Sequence, residues 1–142
     1  MVDLDALRKR VSAVFAVIEV PSGKTGEASP AAADLAAWNG RAMTIITGSE
    51  KKPADVNPDQ VDITLRRNGE LISKTSGGVA AGGQYATLLQ TVNNLVSRGY
   101  TIKKEHVITN GALGDILPLE TGAYRADYGP LGAVEFEVVD SD

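Results

Sequence analysis

The dipeptide Asn68-Gly69 constrains the fold more than any other feature of the sequence. It separates two stretches, VDITLRR and ELISKTS, that are rich in branched side chains. Asn and Gly readily adopt the positive φ angles that a type I′ turn requires, so this arrangement is a strong signal for a β-hairpin. We therefore predict a hairpin over residues 59–75, and a helix over these residues would refute the prediction.

Hydrophobic periodicity places the main helix after the hairpin. Residues 84–98 carry apolar side chains at helical spacing, and Gly99 is a suitable stop. The glycine-rich stretch 77–83 is too flexible for the interior of a helix or strand. Shorter patterns predict helices at 3–10 and from Ser29-Pro30 to about Trp38, and strands at 13–20, 41–47, 106–109, 123–128 and 133–139. The predicted class is α+β with a β-rich core.

The composition excludes several classes of protein. The 142 residues include no cysteine, which excludes disulfide scaffolds, thiolate catalysis and Cys-ligated metal sites. The net charge is -4 and no basic tract is present, so we expect no nucleic-acid partner. No apolar run approaches the roughly 18–20 residues that span a bilayer, and no signal peptide is recognisable. We therefore expect a single cytoplasmic domain over residues 1–142, without a membrane partner.

Glu19 is the strongest single candidate for a functional role. It stands in the apolar stretch AVFAVIEV, and a carboxylate is expensive to bury unless it binds a cation or hydrogen-bond donors. Strand alternation is equally compatible with an outward orientation, so both interpretations stay open. The only histidine, His106, is interpreted as a structural or surface residue, because no serine lies in a nucleophile elbow that would make a triad with it.

Glycine-rich turns are the second group of candidates. Gly77 and Gly78 precede the main helix, whose N-terminal amides are suited to an anion. Gly111 and Gly114 delimit a second tight turn. Together with one isolated carboxylate, these turns would suit a small acidic ligand, with or without a metal.

The second half of the chain resembles a known enzyme family. The run VDITLRRNGELISKTSGG, the helix ending in NNLVSRG, and HVITNGALGDILPLETGAYRADYGPLGAVEFEV are similar to the C-terminal half of the 2-keto-4-pentenoate hydratase family. That family includes the 4-oxalocrotonate decarboxylases and belongs to the fumarylacetoacetate hydrolase superfamily. Upstream, FAVIEVPS and DLAAWNGRAMTIITG resemble the family's metal-binding strand and the helix and strand that follow it. The resemblance implies a mixed sheet rolled into a barrel-like core with one main helix.

The resemblance also implies a site. Glu19 matches the family's later metal-binding glutamate, in a site for Mg²⁺ or Mn²⁺. The Glu-x-Glu pair that supplies two further ligands belongs to an N-terminal half that this sequence does not contain, and one carboxylate alone is a poor Mg²⁺ site. Asn110 stands where the family usually has threonine. The implied substrate-binding residues are Gly77, Gly78, Asn110, Gly111, Ala112, Leu113 and Gly114.

The implied function is lyase chemistry on a small 2-oxo acid or its enol: hydration or dehydration, decarboxylation, or tautomerisation and cyclisation. Glu19 would hold the metal or act as general base. The alternative is a non-catalytic paralogue that binds a small acidic ligand or a partner subunit. Because the half that covers the β-core in the relatives is missing, we also expect a homodimer, since open sheet edges and apolar patches are sites of association.

Overall fold

A computed structural model describes residues 2–21 and 42–140 of the chain. The helix expected between Ser29 and Trp38 lies outside the described residues. The described elements are helix α1 (Leu4–Arg8), strands β1 (Val17–Pro21), β2 (Ala42–Thr47), β3 (Asp62–Arg67) and β4 (Glu70–Ser76), helix α2 (Gln84–Ser97), and strands β5 (Gly122–Asp127) and β6 (Ala133–Val138). Short 3-10 turns lie at Pro58–Gln60, Gly77–Val79 and Gly129–Leu131.

The hairpin at Asn68-Gly69 is confirmed. Strands β3 and β4 pair antiparallel on either side of it. The φ angles are 50° at Asn68 and 84° at Gly69, both positive as a type I′ turn requires. The turn is also joined to β5, because Asn68 and Ala123 exchange two hydrogen bonds: Asn68 N donates to Ala123 O at 2.8 Å, and Ala123 N donates to Asn68 Oδ1 at 2.9 Å.

The strands form two antiparallel sheets. One has four strands in the order β4-β3-β5-β6, and the other consists of β1 and β2. The α+β class with one main helix is confirmed, but the expected mixed sheet is not, since every described pair is antiparallel. No closed barrel is formed by the described strands. The short connections explain the antiparallel pairing: β3 and β4 are joined by a tight turn, and β5 and β6 by a 3-10 turn, which suit antiparallel neighbours.

The helices predicted at residues 3–10 and 84–98 are confirmed, whereas the strand predicted at residues 106–109 is not. Helix α2 ends at Ser97, and Gly99 has a φ of 86°. Helix α1 is capped by Asp3, whose Oδ1 accepts a hydrogen bond from Ala6 N at 2.7 Å. The strand predicted at 106–109 is wrong: residues 100–121 form a coil without helix or strand. A short apolar run does not decide between a strand and a coil, because a strand also needs a partner.

The core lies where the two sheets meet. Its members are Ala16, Val56, Val61, Ile63, Ala126, Tyr128, Leu131 and Val134. On β5, Tyr124 and Ala126 are buried while Arg125 is exposed, so one face of the larger sheet packs inward. The outward face carries the ion pair between Arg125 and Glu135. None of the described helices is long and apolar enough to cross a membrane.

Candidate functional site

An open cavity of about 1830 Å³ lies between helix α2, the coil 100–121 and the inward faces of the sheets. Its apolar wall comes from Leu88 and Val92 of α2, Ile63 of β3, and Ala126 and Tyr128 near β5. Typical ligand pockets measure about 300–1,000 Å³. A small ligand would therefore fill only part of this space, which we call the α2 cavity.

Gln84, the first residue of α2, is the polar centre of the cavity wall. It is the one polar residue among the buried residues of the described chain. Each of its polar groups has a partner: the backbone N donates to Asp59 Oδ1 at 2.6 Å, and Nε2 donates to Gly77 O at 2.7 Å. The backbone O and Oε1 both accept from Asn110 Nδ2 at 2.9 Å. Gln84 thus joins three separate segments.

Asn110 has a polar atom without a partner. Its Oδ1 is buried and accepts no hydrogen bond, the one such side-chain atom found in the described residues. Reversing the amide would direct this oxygen at Gln84 O, which has no hydrogen to donate, so the partners fix the orientation. An unsatisfied buried acceptor costs about 1–3 kcal/mol.

The turn from Asn110 to Gly114 borders the α2 cavity along its whole length. Thr75 Oγ1 donates a hydrogen bond to Leu113 O, and the Leu113 side chain packs on the core. The backbone amides of residues 111–114 donate to no acceptor in the described part of the chain. A row of free amides is suited to a carboxylate or another anion.

The glycines before α2 serve the fold. Gly77 lies at the cavity wall, and its N donates to Val61 O at 2.8 Å. Gly78 is exposed and does not line the cavity. Asp59 places a carboxylate at the N-terminus of α2, where a bound anion would otherwise lie. The structure therefore brings the Asn110–Gly114 turn to the cavity and separates Gly78 from it.

Glu19 borders the α2 cavity with an exposed side chain. Of the two orientations that the sequence left open, the structure shows the exposed one. Val20 beside it is buried, as alternation along β1 requires. Within residues 2–21 and 42–140, no three side chains of the types His, Cys, Asp or Glu are grouped as a metal site needs. The described residues therefore do not fit the Mg²⁺ or Mn²⁺ site that the resemblance implies.

Two further residues of the cavity border are Tyr85 and His106. Burial raises the pKa of Tyr85, while the guanidinium of Arg8, 5.2 Å from the ring centroid, acts in the opposite direction. His106 is exposed, and its Nδ1 accepts a hydrogen bond from Lys103 N at 3.3 Å. A surface role for this histidine fits that geometry.

Sequence reasoning missed Gln84, although a signal was present. Gln84 stands on one helical stripe with Leu88 and Val92, at positions i, i+4 and i+8. A polar residue on the apolar stripe of a helix is expected to have buried partners. The partners themselves lie in other segments and are not visible in the local pattern.

Two solved structures share the fold of this chain over most of its length. Both are 4-oxalocrotonate decarboxylase from Pseudomonas putida G7, one complexed with magnesium and adipate and the other with calcium and acetate. The first has a TM-score of 0.83 and 21% sequence identity, and the match covers 93% of this chain and 51% of that chain. The fold is that of one half of this decarboxylase. The second has a TM-score of 0.80 and 21% identity, covering 93% and 50% of the two chains.

The comparison confirms the resemblance to the decarboxylases at the level of the fold. The chain spans about half the length of the solved structures that it matches, as a resemblance to a C-terminal half implies. No protein-family model and no characterised protein sequence matches the chain.

Proposed function

We propose that the protein is a lyase-like enzyme that acts on a small 2-oxo acid or its enol in the α2 cavity. One observation carries the proposal: Glu19 and the Asn110–Gly114 turn, far apart in the sequence, border the same cavity in the fold of a 4-oxalocrotonate decarboxylase. The apolar wall would exclude water from the carbon chain of the ligand, and the polar groups would orient it.

The amides of residues 111–114, which donate to no acceptor in the described residues, are suited to hold the carboxylate of the acid. Glu19 would then act as general base and remove a proton from the carbon beside the keto group, which leaves an enolate. Protonation of the enolate oxygen by water gives the enol. Hydration, decarboxylation and tautomerisation all use such an enol or its equivalent. Formation of the enol is therefore the proposed step, and the substrate determines which of these reactions follows it.

Binding of a divalent cation stays a prediction, and it would need ligands from outside the described residues. The solved decarboxylase structures contain magnesium or calcium, whereas the described residues of this chain offer no metal-binding group. A hard cation would need oxygens from the bound acid or from another subunit. The enol step proposed above does not require this cation.

A second candidate function is ligand binding without catalysis. It is favoured by the exposure of Glu19 and by the lack, in the described parts of the chain, of any group of three His, Cys, Asp or Glu side chains that could hold a metal. In that case the cavity would bind an acidic ligand or a partner subunit and leave it unchanged.

A homodimer is also proposed, supported by apolar side chains on the coil beside the cavity. Ile116 is 84% exposed, Tyr100 is 63% exposed and Val107 is 49% exposed. An apolar surface of this kind is typical of an interaction site. A second copy of the chain, packed by the same patch, is the commonest way to cover it.

Deuterium exchange distinguishes the enzyme from the binding protein. The purified protein is incubated with 2-oxoadipate in D₂O, with and without millimolar Mg²⁺, and loss of the C3 hydrogens is followed by NMR. If the protein is an enzyme, the C3 hydrogens should exchange faster than in buffer alone. The Glu19→Gln variant should lose this acceleration. Glu70→Gln is the matched control, because Glu70 is exposed and lies away from the cavity lining. Saturable binding without accelerated exchange would instead support the non-catalytic candidate.

A further inference from the structure

The hydrogen bonds of Gln84 determine what a ligand meets at Asn110. Both hydrogens of the Asn110 amide have acceptors on Gln84, its backbone O and its Oε1. The remaining polar atom of this side chain is Oδ1, which can only accept. The one polar atom of the Asn110 side chain without a protein partner is therefore an acceptor, and not a donor.

Gln84 cannot itself rotate to release Asn110 without further loss. Its Nε2 donates to Gly77 O, so reversing the Gln84 amide would set two oxygens against each other. Its backbone is held in turn by Asp59, whose carboxylate accepts from Gln84 N. The orientation of the Asn110 amide thus depends on Gln84, which is itself held by Gly77 O and by the carboxylate of Asp59.

We propose that Gln84 is a positioning residue that makes the site selective for a ligand with a hydroxyl donor. This inference rests on the proposed function, and it specifies the form of the substrate. An ionised carboxylate and a keto group carry no donor, whereas an enol or a 2-hydroxy acid carries one. Asn110 Oδ1 would accept this hydroxyl hydrogen, which removes an unsatisfied buried acceptor on binding.

Contact with the ligand requires a neighbouring segment to shift, because Asn110 Oδ1 is buried. Asn110 belongs to the coil 100–121, which has no helix or strand. A small movement there breaks no ladder of backbone hydrogen bonds. The hydroxyl would then replace the protein atoms that cover Oδ1.

The test compares two ligands that differ in the donor alone. Calorimetry measures the affinity of 2-hydroxyadipate and of 2-fluoroadipate, in which fluorine keeps the size but donates no hydrogen bond. We expect the wild-type protein to bind the hydroxy acid about tenfold more tightly. The ratio of the two affinities is the readout, because a partial loss of folded protein lowers both affinities and leaves the ratio unchanged.

Two variants separate positioning from a merely structural role. In Gln84→Leu, Asn110 keeps the backbone O of residue 84 as an acceptor but loses Oε1. Reversal of the Asn110 amide then sets one pair of oxygens against each other instead of two, so the ratio should fall below the wild-type value. In Gln84→Glu, the introduced carboxyl group replaces the Nε2 donor only while it is protonated. Burial raises the pKa of such a group, so we expect the ratio to be retained at about pH 6 and lost at about pH 9. This rescue at low pH also covers the case in which Gln84→Leu does not fold.

Gln90→Glu is the matched control, because Gln90 is exposed on the same helix. Its ratio should equal that of the wild-type protein at both pH values. If wild-type protein binds both ligands equally, or folded Gln84→Leu keeps the full preference, the inference is overturned while the proposed function stands. If the wild-type protein binds 2-oxoadipate but neither of these two acids, the inference alone is overturned. If it binds none of the three acids, with or without Mg²⁺, both are overturned.

Discussion

Replacing Gly77 with alanine tests the packing that supports the N-terminus of α2. Gly77 is buried, and an added Cβ would lie 1.8 Å from the carbonyl oxygen of Pro58. Real Cβ atoms essentially never come closer than 3.0 Å to such an atom, so the two backbone segments must separate by about 1.2 Å. Because Asp59 follows Pro58, this movement also disturbs the carboxylate that holds Gln84 N.

The expected loss of stability follows from the contacts around Gly77. Separation weakens the bonds from Gly77 N to Val61 O and from Gln84 Nε2 to Gly77 O. Each such bond contributes about 1 kcal/mol, and forcing an extra methyl group into a packed interior costs about 1–3 kcal/mol. We therefore expect the free energy of unfolding to fall by about 3–5 kcal/mol, out of the roughly 5–15 kcal/mol typical of a domain.

Equilibrium unfolding in urea, followed by circular dichroism, measures this loss. Gly78→Ala is the control, because Gly78 is exposed and its added Cβ would lie 3.0 Å from Asp59 O, a tight contact that a shift of a few tenths of an ångström relieves. We expect this control to lose less than about 1 kcal/mol. Equal losses in the two variants would refute the packing argument.

Three further predictions concern other parts of the structure. Asp59→Ala should lower the free energy of unfolding by about 1 kcal/mol in the same urea assay, because it removes the acceptor for the first amide of α2. Burial raises the pKa of Tyr128 above its ordinary value of 10.0, so the stability linked to this phenol is complete below about pH 10 and is lost as the pH rises through the folded-state pKa. Tyr128→Phe should therefore show a smaller drop in Tm between about pH 8 and pH 11 than the wild-type protein, and an equal drop would contradict the assignment. In sedimentation equilibrium, the wild-type protein should have a mass near twice 14.9 kDa. Ile116→Lys should shift this mass towards that of the monomer, whereas Val79→Lys should not, because Val79 is exposed but lies away from the cavity lining. A stable wild-type monomer would contradict the proposed dimer.

Local signals were sufficient for most of the secondary structure. The Asn68-Gly69 turn, the stop at Gly99 and the cap at Asp3 each depend on a few neighbouring residues, so a pattern reveals them. Pairing between distant segments is different, because it depends on which surfaces meet. Residues 106–109 therefore looked like a strand but have no partner, and the sequence did not show that β1 and β2 form a sheet of their own.

The site was predicted only in part for the same reason. The Asn110–Gly114 turn was found through its motif, and it lies at the cavity. The orientation of Glu19 was open, since a period of two permits either face. Gln84 was missed because its role comes from Asp59, Gly77 and Asn110, which meet it only in the folded chain.

Chemical-shift mapping tests the central claim, that the α2 cavity is the binding site for a small oxo acid or its enol. A ¹⁵N-labelled sample is titrated with 2-oxoadipate, and the backbone amide signals are followed. Binding in the cavity predicts saturable shifts at Gly111, Leu113 and Gly114, and at Tyr85 on the facing helix, with little change at Arg125 on the outer face of the sheet. Shifts centred on the outer face, or no saturable shift at millimolar ligand with and without Mg²⁺, would contradict the claim.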